Sequence, residues 1–305
     1  MEELDINWPA PGKYIIAVSG GADSMVLLDI FACASARRYE LIAAHVDHGL
    51  RPESASDSEF VAAAAEHYGL PFEQLSAGLG QASEASARAV RHDWLEQTRQ
   101  KFGAIAVLTA HHQDDLLETS LLNLARGSGR LGLAPMASSP TILRPLINLT
   151  RDDLRRYASE HQIAWREDLT NADISNPRNF LRHQLLPRAD ANWRASYLEN
   201  VSQLAKLNKK VDQSISTILE SAYVPPNTYS FPVNYVRNMN DGEFEEIILA
   251  ASRRLRPGVQ LDRRLIVEAA NFAKTGLPRK FRPLRQDIVI NIESDSIYLT
   301  TNTPR

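Results

Sequence analysis

Ser19-Gly20-Gly21-Ala22-Asp23-Ser24 follows directly after the apolar run Tyr14–Val18 and leads into a helical pattern. A strand that delivers small residues into a helix start is suited to anions, because unpaired backbone N–H groups and the helix dipole converge there. Gly20 and Gly21 let a ligand approach the backbone closely, and Asp23 places a carboxylate where a divalent metal could bridge to phosphate. The stretch lacks both the Walker A ending and a GxGxxG pattern. We predict a phosphate-binding turn; the alternative is an ordinary glycine-rich connection.

Length and composition indicate an intracellular protein of two or three domains, since 305 residues exceed one small domain. No run of about 18 apolar residues occurs, so we expect no membrane span. The acidic start, Met1–Asp5, lacks the pattern of a secretion signal. The single cysteine, Cys33, agrees with a reducing cytoplasm, and we expect it to pack in the core of the first helix.

Short apolar strands alternate with longer helical patterns up to about residue 125, which predicts a Rossmann-like α/β fold. Such a fold has a parallel sheet, here of five strands, with helices on both faces. Ligands in these sheets bind at the carboxyl ends of the strands. The pattern locates four of these strands, Lys13–Ser19, Glu40–Asp47, Pro71–Leu75 and Ala104–Ala110, and the predicted helices are Asp23–Arg37, Ser54–Gly69 and Ser83–Phe102.

The remainder of the chain changes character twice. Gly127–Pro145 is rich in glycine, proline and serine and predicts a long loop. Helical patterns dominate from about 150 to 222. After a helix over Leu261–Lys274, the tail alternates like a β-hairpin with strands over Lys280–Asn291 and Ile297–Thr301. We therefore predict an α/β domain over 1–190 and a smaller, mainly helical domain over 191–305 that ends in a small β element.

Charge is distributed unevenly, with roughly −7 in residues 1–150 and roughly +4 in 151–305. The stretch Arg253–Arg285 carries about ten basic groups and could face the phosphates of a nucleic acid. A solvated basic face with no partner is the alternative.

Two further clusters follow predicted strands. His45–Arg51 contains Asp47 and Arg51, which could contact a nucleotide. His111–Thr119 joins two histidines to Asp115 and Glu118, which are neighbours on a helix face. Carboxylates there suit magnesium or an amine better than zinc, because no cysteine assists; a simple helix cap is the alternative.

A third cluster, Arg126–Leu133, is rich in glycine and arginine. It predicts a flexible basic loop that closes over a substrate, with an exposed linker as the alternative.

These motifs resemble the PP-loop ATP pyrophosphatase superfamily and, within it, the tRNA(Ile)-lysidine synthase family. The ordered resemblance covers about the first 190 residues, and the chain resembles a short form of the family without its additional C-terminal domain. The motifs that carry it are Ser19–Ser24, His45–Arg51, Glu84–Arg91, His111–Thr119, Arg126–Leu133, Arg144–Leu146, Trp165–Asn171 and Arg178–Arg182, ending at Leu186-Pro187.

The resemblance implies a ligase that joins free L-lysine to C2 of the wobble cytidine (position 34) in tRNA(Ile) with a CAU anticodon. ATP would first adenylate the cytidine, giving AMP and diphosphate overall, and the tRNA would change from methionine to isoleucine specificity. It also implies cytoplasmic location, no membrane partner, and Mg²⁺ held by Asp23.

Site residues carried over by this resemblance fall into four groups. The catalytic group is Asp23, His111, Asp115 and Glu118, with His111 assisting proton transfer or contacting phosphate. The lysine-binding group is Arg91, Asp115 and Glu118. The ATP-binding group is Ala17, Ser19, Gly20, Gly21, Ala22, Asp23, Ser24, His45, Asp47 and Arg51. The tRNA-binding group is Arg126, Gly127, Ser128, Gly129, Arg130, Arg178, Asn179 and Arg182.

The chain departs from the family pattern at His92, where tyrosine is usual, and at Ala134–Met136 after the glycine loop. Rival functions are a tRNA-thiolating enzyme, an amidotransferase-type synthetase and a non-catalytic tRNA-binding protein. Thiolating relatives use paired cysteines or an iron–sulfur cluster, and Cys33 stands alone. The sequence leaves the oligomeric state open, with a homodimer as one option.

Overall fold

The computed structural model describes residues 4–34, 38–47, 54–77, 84–136, 139–167, 173–259, 261–285 and 287–301. They fall into two compact units, Met1–Ala205 and Lys206–Arg305. The domain boundary placed at residue 190 by the sequence stays a prediction.

The first unit contains a five-stranded parallel sheet, which confirms the predicted fold class. Its strands are β1 Gly12–Ala17, β2 Tyr39–Asp47, β3 Phe72–Ser76, β4 Ala106–Leu108 and β5 Ile142–Leu143. They lie in the order β3-β2-β1-β4-β5, and every neighbouring pair is parallel. The order reverses beside β1, where doubly wound folds bind their ligands.

Helices of this unit alternate with the strands and then continue past the sheet. They are α1 Ala22–Cys33, α2 Ser54–His67, α3 Glu84–Lys101, α4 Gln113–Ala125, α5 Arg130–Leu133, α6 Arg151–Glu160 and α7 Pro177–Phe180. A π-helical turn over Leu181–Leu185 and a 3-10 turn over Leu186–Arg188 lead into the long helix α8, Ala191–Ala222.

The central strand β1 is buried on both faces, because its side chains alternate between two apolar clusters. Tyr14 and Ile16 pack with Val26 and Leu27 of α1 on one face, whereas Ile15 belongs to the cluster of Leu95 on the other. A continuous apolar run such as Tyr14–Val18 is the pattern that a doubly covered parallel strand requires.

The prediction of a long loop over Gly127–Pro145 is wrong in part. The short helix α5 and the edge strand β5 lie inside it. Ile142 and Leu143 pair with Val107 and Leu108 of β4. A two-residue strand has no periodicity of its own, so its conformation depends on the neighbouring strand.

The second unit combines helices with a five-stranded antiparallel sheet, which confirms the predicted small β element. The sheet order is β6-β7-β10-β9-β8. The segment expected as one strand over Lys280–Asn291 is two antiparallel strands. The elements are β6 Tyr223–Val224, β7 Thr228–Pro232, α9 Val233–Arg237, α10 Asp241–Leu255, α11 Arg263–Thr275, β8 Lys280–Arg285, β9 Ile288–Ile292 and β10 Ser296–Thr300.

Basic residues of the second unit are partly neutralised within it. Arg256 pairs with Asp287, Glu268 pairs with both Arg264 and Arg282, and Lys274 donates to Asp241 at 2.9 Å. Fewer positive charges than the sequence suggested are therefore available to an outside partner.

Nowhere in the described ranges is a helix both long and apolar enough to cross a bilayer.

Candidate active site

The predicted phosphate turn connects β1 to α1, and its own hydroxyl groups fix its shape. Ser24 Oγ lies 3.1 Å from the Ser19 N–H, which donates to it, and 3.1 Å from Ser19 Oγ. It also donates to the carbonyl oxygen of Gly21 at 2.9 Å. Gly20 has φ +85°, in the left-handed region that favours glycine. The turn is therefore organised before any anion binds.

Two neighbouring segments brace this turn. Buried His45, at the end of β2, places Nδ1 2.8 Å from the carbonyl oxygen of Val18. The Arg166 N–H donates to the carbonyl oxygen of Gly20 at 2.9 Å. His45 and Asp47 thus end the strand beside the turn, as the sequence predicts. Arg51 lies outside the described residues.

His112, the residue before α4, connects the turn after β4 to the turn after β1. Its fully buried ring lies 3.5 Å from Asp23 Oδ2 and 3.5 Å from Asp115 Oδ2, measured from Nε2. Its Nδ1 lies 3.7 Å from Asp114 Oδ2. Burial by itself lowers the pKa of His112, but the carboxylates of Asp23 and Asp115 outweigh burial and raise that pKa. The sequence predicts a catalytic role for its neighbour His111 alone, although both histidines belong to the same motif.

Asp115 and Glu118 lie on one face of α4 and contact the residues predicted to bind tRNA. Arg178 donates Nε to Glu118 Oε2 at 2.8 Å and Nη2 to Asp115 Oδ1 at 3.0 Å. Arg182 donates Nε and Nη2 to the two oxygens of Glu118 at 2.7 and 2.8 Å. Glu118 is fully buried, and Arg151 Nη2 lies 3.5 Å from its Oε1. Three arginines therefore compensate one buried carboxylate.

Two polar side chains beside this cluster have structural partners. Asp114 accepts the Arg151 N–H at 2.8 Å and a bond from Arg194 Nη1 at 2.9 Å. Buried Asn179, predicted to bind tRNA, donates Nδ2 to the carbonyl oxygen of Asp173 at 2.9 Å. Both side chains connect segments that are distant in sequence.

His111 has a different charge environment from that of His112. Its Nδ1 is 2.9 Å from Thr109 Oγ1. Burial is the main cause that lowers the pKa of His111 to about 4; Asp115 opposes it, and the positive charges of Arg144, Arg91 and Arg88 act in the same direction as burial. The ring is therefore neutral near pH 7 and can accept a hydrogen bond.

The basic loop Arg126–Leu133 is tied to α4, whereas the sequence predicted a flexible loop. Asn123 Nδ2 donates to the carbonyl oxygen of Gly132 at 2.8 Å, and buried Ser120 donates to that of Leu133 at 2.7 Å. A Cβ at Gly132 would meet the Cβ of Ser128 at 2.6 Å, so the loop folds back closely on itself. The loop presents a shape determined by α4.

Asp23 lies beside the phosphate turn, where a single carboxylate could share a divalent metal with bound phosphate. No group of three or more His, Cys, Asp or Glu in the described part of the chain could hold a metal by itself. Mg²⁺ is commonly held by one or two carboxylates together with substrate phosphates. The Asp23 side chain is 36% exposed in the first turn of α1, beside the phosphate turn, and fits that arrangement.

Cys33 does not pack in the core as expected; it is exposed at the end of α1. Its Sγ donates to Asp29 at 3.7 Å.

Comparison with known proteins identifies a family whose matched region contains these site residues. The sequence profile described as the PP-loop domain matches residues 4–189. The chain belongs to the PP-loop family. The matched residues of this PP-loop protein include the phosphate turn, α4 and the arginines that hold Glu118.

Curated relatives of this PP-loop protein include two tRNA(Ile)-lysidine synthases. That of Hydrogenovibrio crunogenus is 36% identical over 222 residues, which is 66% of this chain and 52% of the relative. That of Alkalilimnicola ehrlichii is 42% identical over 201 residues, 62% of this chain and 44% of the relative. The chain thus spans about half the length of the curated relatives it matches.

A solved structure, the U34-tRNA thiolase NcsA of Methanococcus maripaludis with its [4Fe-4S] cluster, shares the fold. The TM-score is 0.52 at 15% sequence identity, covering 67% of this chain and 74% of that one. The likeness extends to the fold alone.

Proposed function

We propose that this chain joins free L-lysine to C2 of the wobble cytidine of tRNA(Ile) with a CAU anticodon, at the expense of ATP. The observation that carries the proposal is the meeting of two turns at His112, 3.5 Å from Asp23 and 3.5 Å from Asp115. A phosphate turn and a carboxylate pair in one crevice suit a reaction that activates with ATP and then admits an amine. The choice of lysine and tRNA(Ile) as substrates rests on the similarity to tRNA(Ile)-lysidine synthases.

In the first step, the O2 atom of cytosine attacks the α-phosphorus of ATP, and diphosphate leaves. The turn Ser19–Ser24 would hold the departing phosphates through backbone N–H groups and the Ser19 hydroxyl, while the Ser24 hydroxyl fixes the turn by donating to Gly21. Asp23 would hold Mg²⁺, which when bound neutralises phosphate charge. The product of this step is a cytidine whose C2–O bond is ready to break.

In the second step, the ε-amine of lysine attacks C2, the C2–O bond breaks, and AMP leaves with the oxygen. Asp115 and Glu118 would hold the incoming ammonium, and Arg91 the lysine carboxylate. Asp115 is the more accessible of the two carboxylates, because its side chain is 14% exposed whereas that of Glu118 is fully buried. Neutral His111 would accept a hydrogen bond from the attacking amine or contact the phosphate, since its low pKa makes it a weak base.

The basic loop Arg126–Arg130 would line the path of the anticodon loop, with Arg178 and Arg182 at its inner end. A wobble base must leave its stack to reach the crevice. We place the reaction in the cytoplasm and retain the homodimer as the assembly to test.

Thiolation has less support than ligation. The fold neighbour NcsA carries a [4Fe-4S] cluster, which requires several cysteine ligands. Here Cys33 is the single cysteine of the chain.

The deciding experiment is incorporation of labelled lysine into isoleucine and methionine tRNA transcripts, both with the CAU anticodon, with and without ATP. We expect label in the isoleucine transcript, dependent on ATP and accompanied by AMP. Label in neither transcript, with or without ATP, would refute the proposal.

A further inference from the structure

The two carboxylates proposed to hold the lysine ammonium already have positive partners. Arg178 bonds to both, donating Nη2 to Asp115 Oδ1 at 3.0 Å and Nε to Glu118 Oε2 at 2.8 Å. Arg182 makes two further bonds to Glu118, and Arg151 Nη2 lies 3.5 Å from its Oε1. An ammonium that approached this pair would meet three guanidinium groups around two carboxylates, and like charges repel. One guanidinium therefore has to leave before lysine can bind tightly.

Arg178 is the guanidinium whose departure costs the cluster least. Its side chain is 31% exposed, against 16% for Arg182 and 25% for Arg151. When it withdraws, Glu118 keeps the bidentate bond from Arg182, so the buried carboxylate stays paired. Asp115 loses its 3.0 Å bond, and Arg182 remains 3.7 Å from it, beyond hydrogen-bond distance. The negative charge that becomes available is thus that of Asp115, the more accessible carboxylate.

The backbone around Arg178 is held in place, so that only its side chain needs to move. The Arg178 N–H donates to Asn176 Oδ1 at 2.9 Å, and the next residue, Asn179, donates Nδ2 to the carbonyl oxygen of Asp173 at 2.9 Å. A guanidinium fork binds a phosphate as well as it binds a carboxylate, because each offers two oxygens to its parallel N–H groups. A phosphate that reaches Arg178 from solvent can therefore take its guanidinium over from Asp115.

We propose that Arg178 occupies the ammonium site of the free protein, and that a phosphate of the substrate RNA draws it away from Asp115 and so opens the site to lysine. The inference rests on the proposed function, because it takes Asp115 to be the group that holds the ammonium. By thermodynamic linkage, RNA and lysine then tighten each other's binding by the same factor. Lysine binds tightly only when the RNA that carries the target cytidine is present.

The test measures lysine binding to the full chain by titration calorimetry, without ATP, in the presence and absence of a saturating stem-loop RNA with a CAU loop. We expect the RNA to lower the Kd for lysine roughly 5- to 150-fold, the usual range of a coupling between two sites. Lysine should lower the Kd for the RNA by the same factor. An equal Kd for lysine with and without RNA, or no lysine binding in either case, overturns the inference on the wild-type protein alone.

A second arm identifies the source of the phosphate. It replaces the RNA with Mg²⁺ and α,β-methylene-ATP, a nucleotide that cannot release diphosphate. We expect this nucleotide alone to leave the Kd for lysine unchanged. A gain equal to that given by the RNA would overturn the assignment of the phosphate to RNA.

Arg178→Gln should bind lysine more tightly than the wild type in the absence of RNA, and the RNA should then add little. Loss of an arginine that only supports the fold would instead weaken lysine binding, so the sign of the change separates the two roles. Arg188→Gln is the matched control, because it removes an exposed arginine from the 3-10 turn Leu186–Arg188 and should keep the wild-type coupling. Weaker lysine binding by the Arg178→Gln protein, with the effect of RNA intact, overturns the inference.

The readout is binding, so it is independent of the chemistry. If RNA tightens lysine binding as expected but no lysine is incorporated with ATP, the proposed function fails and the role of Arg178 stands. If lysine is incorporated but binds equally well without RNA, only the role of Arg178 fails.

Discussion

Arg182 and Glu118 form a bidentate pair in which both carboxylate oxygens accept, at 2.7 and 2.8 Å, while Glu118 is fully buried. Fork-to-fork geometry of this kind is the strongest form of ion pair in proteins. Arg178 and Arg151 approach the same carboxylate from other segments. The carboxylate is therefore a structural centre of the site as well as a candidate ligand for an amine.

Glu118→Gln should lower the free energy of unfolding by about 3–5 kcal/mol, because it removes the buried counter-charge that Arg151, Arg178 and Arg182 share. Chemical denaturation monitored by circular dichroism measures the change. Glu40→Gln is the control, since Glu40 is 67% exposed in its pair with Lys13 and should cost under about 1 kcal/mol. Equal, small effects in both variants would contradict a central role for Glu118.

Asp23→Ala should reduce AMP formation by about a hundredfold or more while leaving RNA affinity intact, because a carboxylate beside the phosphates is lost. AMP release and RNA filter binding, measured on the same preparation, separate the two effects. Asp57→Ala removes an acidic residue from the first turn of a different helix, α2, and should retain wild-type AMP formation. Normal AMP formation by the Asp23→Ala protein would refute the magnesium assignment.

Asn123→Ala should raise the KM for RNA about two- to tenfold with kcat unchanged, because the basic loop loses one hydrogen bond to α4. Steady-state kinetics with the RNA varied at saturating lysine and ATP provides the measurement. Gln203→Ala, which removes an exposed amide bonded to Glu199 on α8, should leave both constants unchanged. A fall in kcat with an unchanged KM would mean that Asn123 acts on chemistry instead of on the loop.

His111 should make the protein less stable in acid. In the unfolded chain a histidine takes up its proton near pH 6.5, whereas in the folded protein burial lowers the pKa of His111 to about 4. The unfolded state therefore binds more protons between these values, and the free energy of unfolding falls as pH drops through that window, by about 2–3 kcal/mol in total. His111→Asn should reduce this slope, and denaturation curves between pH 7 and pH 4 report it. Parallel curves for the two proteins would exclude the assignment.

Elements with a strong local hydrophobic pattern could be predicted from the sequence, and elements without one could not. Tyr14–Val18 could be assigned as a central strand because both of its faces are apolar. β5 could not, because Ile142 and Leu143 form a strand only through their pairing with β4.

The same distinction applies to the site. The meeting of Ser19–Ser24 with His111–Glu118 follows from the rule that the carboxyl ends of parallel strands share an edge. The pairing of Arg178 and Arg182 with Glu118 could not be predicted, because an ion pair between segments distant in sequence produces no repeating pattern of residues. The sequence predicts no separate role for His112, because a histidine beside carboxylates has the pattern of an ordinary helix start.

The placement of the Glu118 partners has a consequence for synthesis of the chain. On a translating ribosome the phosphate turn and α4 emerge well before Arg178 and Arg182, which complete the shell around Glu118. A nascent chain arrested between them would have to leave this carboxylate hydrated or protonated, because burying it alone is too costly. Truncation before residue 182 should thus yield an incompletely folded product instead of a weakened enzyme.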